Sequence, residues 1–164
     1  MDTARYTTTA LLLHWLMALL LVGLFAVGLY MVDLPLSPQK LKIYSWHKWA
    51  GVTAFLLVLA RLAWRLGHPP PALPPAMPPW QKTVAHGMHH LLYLLMIAIP
   101  ISGWLMSSAK GFQTVYFGVL PLPDLLANGL ALLVLAHIGA ALKHHLLDRD
   151  DVLSRMLPFL SSHR

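Results

Sequence analysis

The sequence predicts an all-α integral membrane protein, a four-helix bundle with both termini in the cytoplasm. Three observations carry that expectation. Hydrophobic residues make up 57% of the 164 positions and charged residues 11%, with a mean hydropathy of +0.62, far from the composition of a soluble domain. Four stretches, at roughly residues 9–31, 46–66, 84–107 and 125–147, are long and apolar enough to cross a bilayer, which takes about 20 residues at about 1.5 Å each. No run alternates polar and apolar residues as a barrel would, and lipid cannot hydrogen-bond exposed backbone, so the spans must be helices.

The elements follow in order. The first span carries His14 inside it, is long and shows no clear small-residue cleavage site, so it reads as a retained helix rather than a signal peptide. "VDLPLSPQK" connects it to the second span, "GHPPPALPPAMPPWQK" connects the second to the third, and "GFQTVYFGVLPLPD" precedes the fourth. Proline blocks helix continuation in each connection. The middle one is more simply a stiff hairpin loop than a ligand for a proline-recognising domain. The closing "DRDDVLSRMLPFL" has an amphipathic pattern and reads as a surface helix or tail. No internal repeat appears, and residues 1–164 form one domain.

Lys and Arg near the spans set the expected orientation. With the amino terminus inside, the inner side collects Arg5, Arg61, Arg65, Lys82, Lys143, Arg149, Arg155 and Arg164, and the outer side Lys40, Lys42, Lys48 and Lys110. The formal charge of +6 is then a topology signal. It does not indicate nucleic-acid binding, because the basic residues cap helices instead of forming a tract.

The absence of cysteine excludes disulfides, thiolate-held iron–sulfur clusters, covalent c-type haem and cysteine nucleophiles. Histidine remains, with ten copies, several inside the spans, where a polar group is expensive without a partner. One such histidine is explained by a hydrogen bond to a neighbouring helix; three on three helices ask for more. His14 in "TALLLHWLMALL" and His137 in "VLAHIGAALKHH" reach a similar inner depth. Two neutral imidazoles on facing helices can take both axial positions of a haem iron, with small residues leaving room for the macrocycle. Ala136, Gly139, Ala140 and Ala141 surround His137, helix one has Gly23 and Gly28, and Gly51 follows His47 by one turn. Small residues also serve plain helix packing.

On "LHWLMALLLVGLFAVGLYMVDLPLS", "SWHKWAGVTAFLLVLARLAWR", "HGMHHLLYLLMIAIPISGWLMSSA" and "LAHIGAALKHHLLDRDDVLSRMLP", the chain resembles the prokaryotic cytochrome b561 family. These pieces cover most of the chain in the expected order. The resemblance implies four helices holding haem b in the bacterial cytoplasmic (inner) membrane, and electron transfer with ubiquinone or another quinone. For some members it also implies oxidation of superoxide to oxygen, a superoxide:quinone oxidoreductase activity. It places ligands on His14, His47 and His137. A further family ligand, about 14 residues before the last, falls here on Pro123, and the run from Asp124 to Leu130 looks shortened, as if a segment carrying that ligand is absent. His47, near the outer face, is too far from His137 to share its iron. That leaves three readings of His47: a second, differently ligated outer haem, a partner absent from this sequence, or water.

His144 lies two turns after His137 on the same face, so it is expected at the haem edge as a donor to quinone or a propionate, while His145 faces the surface. Arg61 is the expected propionate partner and Arg65 a partner of lipid phosphates. His86 and His90 have metal-ligand spacing but no accompanying carboxylate or cysteine, so haem propionates, quinone or water suit them better than zinc. Trp15, Trp46, Trp49, Trp64, Trp80 and Trp104 fit an interfacial belt. Two other functions stand beside quinone-linked electron transfer. One is a cytochrome subunit anchoring a soluble dehydrogenase or hydrogenase, which would copurify with that redox partner. The other is a histidine-based transporter, which would be colourless.

Overall fold

The computed structural model describes residues 5–108, 116–117 and 120–157, with side chains described for 5–105 and 122–157. Four helices build it: α1 (Thr8–Asp33), α2 (Pro38–Gly67), α3 (Pro79–Ser108) and α4 (Leu122–Lys143). Each is long and apolar enough to cross a membrane, α4 when extended through the turn that follows it. The expected bundle is therefore present.

Helix starts follow local chemistry. Thr7 caps α1 by accepting from the Ala10 amide, and its hydroxyl also accepts from the Trp64 indole at 3.0 Å. Ser37 caps α2 by accepting from the Lys40 amide, and Pro38 fills the first turn, where a missing N–H costs nothing. The α2 helix thus begins well before residue 46, and the first connection shrinks to residues 34–37. Lys40 reaches back to the Leu34 and Val32 carbonyls at 2.6 and 3.1 Å, closing the end of α1. Pro79 opens α3 inside the proline-rich connection. Pro100 lies inside α3 and removes one ladder donor, and close by the Ser102 hydroxyl donates to the Ile99 carbonyl at 2.8 Å. Before α4, residues Tyr116–Phe117 and Leu120–Pro121 form a short antiparallel pair, β1 and β2. Asp124 in the first turn of α4 complements the helix dipole.

The end of α4 departs from the sequence expectation. The α-helix stops at Lys143, and His144–Asp148 form a single π turn closed by the Asp150 amide donating to the His144 carbonyl, with Arg149 left-handed at φ 52°. Beyond it the described part of the amphipathic segment, through residue 157, forms turns, so of the expected surface helix or tail it is not the helix. It folds back across the bundle end: the Trp15 indole donates to the Met156 carbonyl at 3.0 Å, and the Arg155 guanidinium donates to the Ala72 carbonyl at 2.6 Å. Trp15 and Trp64 therefore stitch this end together.

The core is thin, as befits a bundle whose outer surface faces lipid. Met17, Val58, Leu92, Met96 and Leu130, at least one from each helix, form the buried cluster. Met17 is 1% exposed while Leu19, two residues on, is 71% exposed. Sequence-adjacent helices pack closely; α1 and α4 approach each other less closely, leaving a wider seam between them.

Candidate functional site

The buried cluster points to the site, because each of its stripes, followed toward the end that holds the amino and carboxyl segments, runs into a polar residue. Three residues before Met17 is His14, three after Val58 is Arg61, three before Leu92 is His89, and seven after Leu130 is His137. Spacings of three, four and seven keep residues on one helix face, so three imidazoles and a guanidinium converge just beyond the apolar core.

His14 and His137 face each other across the α1–α4 seam, with ring centres 6.3 Å apart and planes inclined at 56°. Two imidazoles held on opposite sides of one metal by bonds of about 2 Å keep their ring centres roughly 6 Å apart. The His14 Nδ1 is buried with no hydrogen-bond partner among the described residues. The pair, the seam and the donor chemistry thus fit a haem held by two axial histidines. Two residues after His137, an added Cβ at Gly139 would meet nothing within 4 Å, and the same holds at Gly23 and Gly51 farther along α1 and α2, so helix contact alone does not require those glycines.

Arg61 lies within electrostatic reach of both imidazoles, and its guanidinium sits 5.7 Å over the Tyr93 ring. Arg65, expected at lipid phosphates, lies 5.9 Å over the same ring. Neither arginine forms an ion pair among the described residues. Tyr6 completes the group: burial pushes its phenol pKa up, against the opposing pull of Arg65, Arg61 and Arg155. Two uncompensated guanidinium groups beside a pair of imidazoles suit an anionic carboxylate edge.

His47 stands apart. It lies 14 residues before Arg61 on α2, about 21 Å along the helix, and its Nδ1 is likewise buried without a hydrogen-bond partner among the described residues. A Cβ added at Gly28 would lie 3.5 Å from the His47 Cε1, so α1 gives this ring its berth. Pro123, where the family ligand is expected, is in the first turn of α4. Outside the bundle, the Lys42 and Lys48 amino groups lie 5.0 and 5.9 Å over Trp46 and Trp49. Lys110 lies outside the described residues, as does Arg164.

His144 opens the π turn, its Nδ1 2.7 Å from Asp150 and 3.1 Å from Asp148. These three groups bring ligand-type atoms within 4.8 Å of one another, but Lys143 already pairs with Asp148 at 2.5 Å, so they read as an ion-pair network. In "AHGMHH", His86 and His90 are exposed, and His89 is the member that turns inward, its ring 5.4 Å from that of His137. Sequence reasoning passed over His89. Its register, continuing the stripe of Leu92 and Met96 at three and seven residues, marks it only once packing shows that this stripe is the buried one.

Comparison with known proteins agrees with this architecture. The family model described as prokaryotic cytochrome b561 matches residues 5–159. "Cytochrome b561 homolog 2" of Escherichia coli (strain K12) is 35% identical over 176 aligned positions, spanning 96% of this chain and 94% of the relative. "Cytochrome b562" of Cereibacter sphaeroides is 32% identical, spanning 93% and 94%. "Probable superoxide oxidase CybB" of Yersinia pestis is 29% identical over 171 positions, spanning 94% and 96%. Both the first and the last of these alignments exceed the 164 residues of this chain, so each relative carries residues with no counterpart here.

Proposed function

This chain belongs to the prokaryotic cytochrome b561 family of membrane cytochromes b, and from that premise we propose that it exchanges electrons with a membrane quinone through haem b held by His14 and His137. The observation that carries the reading is the facing pair of imidazoles across the α1–α4 seam. Haem b, when bound, would supply a one-electron couple, and with His14 and His137 both holding the iron outer-sphere transfer would be favoured over oxygen binding. Arg61, with no carboxylate partner among the described residues, would hold the propionate edge. The core side chains Met17, Val58 and Leu92 separate the site from the His47 half of the bundle.

The same reading puts both termini in the cytoplasm of a bacterium, with the chain in the inner membrane and quinone entering from lipid at the end where His144 lies. His144 is the proposed quinone contact. Asp150 and Asp148 accept from its Nδ1–H, so Nε2 of the neutral ring accepts from a quinol hydroxyl, and only the doubly protonated ring also donates to a quinone carbonyl. His144→Ala is expected to weaken quinone affinity or the quinone-linked rate roughly tenfold, the value of one hydrogen bond to a charged or strongly polarised partner. Kinetics with added quinone measure it, and a variant unchanged in both would move the quinone site elsewhere.

Where superoxide is the donor, two superoxide ions each give up one electron and leave as oxygen, and the quinone takes both electrons with two protons to become quinol. Support for this donor comes from the likeness to the relative named a probable superoxide oxidase.

The reading as a whole is tested by purifying the chain and recording a reduced-minus-oxidised spectrum with haem-to-protein stoichiometry. A low-spin b-type spectrum with at least one haem per chain is the expected result. A colourless, folded protein would overturn it in favour of a histidine-based transporter.

A further inference from the structure

In the reading above His14 and His137 hold the iron, so His89, the third of the converging imidazoles, is left without a place. It is nevertheless turned into the bundle, half-buried and edge-on to His137, with ring centres 5.4 Å apart and planes at 80°. Its own orientation is fixed from behind. Nδ1 lies 2.6 Å from the carbonyl oxygen of Ala85, one turn earlier on α3. A carbonyl only accepts, so Nδ1 carries the proton, and in the neutral ring Nε2 is then a bare acceptor. Leu92 and Met96, buried on the same stripe, hold this helix face against the core.

We propose that His89 is a positioning residue for His137: its Nε2 accepts a hydrogen bond from the His137 ring nitrogen that does not bind iron. The result is a chain running from the Ala85 carbonyl through His89 to His137. Imidazoles joined by one N–H···N bond of about 2.9 Å have ring centres roughly 5 Å apart. The observed ring-centre separation of 5.4 Å is close to that value. A metal-bound histidine commonly gives its second N–H to such an acceptor, which fixes the ring's tautomer and orientation and makes it a more basic ligand. A more basic axial ligand favours oxidised over reduced iron, so His89 holds the reduction potential down. His14 has no equivalent support, because its Nδ1 is buried without a partner among the described residues. The two axial ligands are therefore unequal, and the α4 side is the anchored one.

The inference rests on haem binding between His14 and His137, and the test separates the two. The holoprotein is compared with His89→Phe, which keeps a ring of similar bulk but no acceptor, and with His89→Gln, which keeps an acceptor. The readouts are the low-spin spectrum, the electron paramagnetic resonance signal of the oxidised form, the midpoint potential and the rate of haem transfer to an apoprotein acceptor. In His89→Phe the low-spin spectrum is expected to persist, the potential to move positive, the resonance to broaden and haem loss to quicken by about 10- to 100-fold, the usual cost of removing such a partner. His89→Gln should return all of these toward the original values. A His89→Phe protein identical to the original in potential and resonance would overturn the proposal, and so would a glutamine variant shifted as far as the phenylalanine one. Loss of the low-spin spectrum in both variants would make His89 itself an axial ligand and overturn it too. If His89→Phe does not fold, the glutamine variant still decides: an original-like potential and resonance support an acceptor role, and a shifted pair refutes it. A colourless unmutated protein would instead remove the haem reading, and this one with it.

Discussion

Replacing His14 or His137 with alanine is expected to abolish the low-spin haem spectrum, with haem either lost or left five-coordinate. The expectation follows from the pairing of these two rings, 6.3 Å apart on α1 and α4. An axial ligand cannot be removed silently, because the ligand field that keeps the iron low-spin depends on both imidazoles. Both variants should still fold. Neither ring belongs to the buried cluster of Met17, Val58, Leu92, Met96 and Leu130, which remains to hold the helices. Size-exclusion chromatography and helical circular dichroism check that, and absorption spectra of the purified variants check the ligation. His90→Ala, at an exposed position of α3, serves as the control and should keep the full spectrum. A full low-spin spectrum in either the His14 or the His137 variant would refute the assignment of that residue.

Oxidation of superoxide arriving at the opposite end of the bundle is expected only if the chain binds two haems. His47 is the imidazole at that end, about 21 Å along α2 from Arg61, and the His14 and His137 pair cannot reach across that distance to a substrate in water. Lys42 and Lys48 flank it, while Lys40 is committed to the carbonyls that close α1. Positive charges near an entry point raise the arrival rate of an anion, and salt removes the advantage as the screening length falls from about 10 Å at 0.1 M to about 3 Å at 1 M. The pyridine haemochrome gives the stoichiometry, and the rate of cytochrome reduction by generated superoxide at low and high salt gives the function. Two haems with a salt-sensitive rate are one expected outcome; one haem with quinone-linked transfer confined to the His144 end is the other. A chain with one haem that still oxidises superoxide quickly, without salt dependence, would show that both the route and the role of His47 are wrong.

Much of this protein was legible in the chain of residues. Four apolar runs separated by prolines determine four membrane-crossing helices, because lipid offers the backbone no other way to satisfy its hydrogen bonds. Counting about 1.5 Å per residue from each helix end placed His14 and His137 at one depth and His47 at another, and the structure brings the first two together. The tertiary structure alone decided which of the three histidines in "AHGMHH" turns inward, that His144 pairs with Asp148 and Asp150 in a π turn, and that the carboxyl segment folds back onto Trp15 and the proline-rich loop. The physical reason is the solvent. In water an amphipathic stripe announces the inner face of a helix, but in lipid Leu19 outside is as apolar as Met17 inside, so counting residues fixes depth and the inward face is left to helix packing.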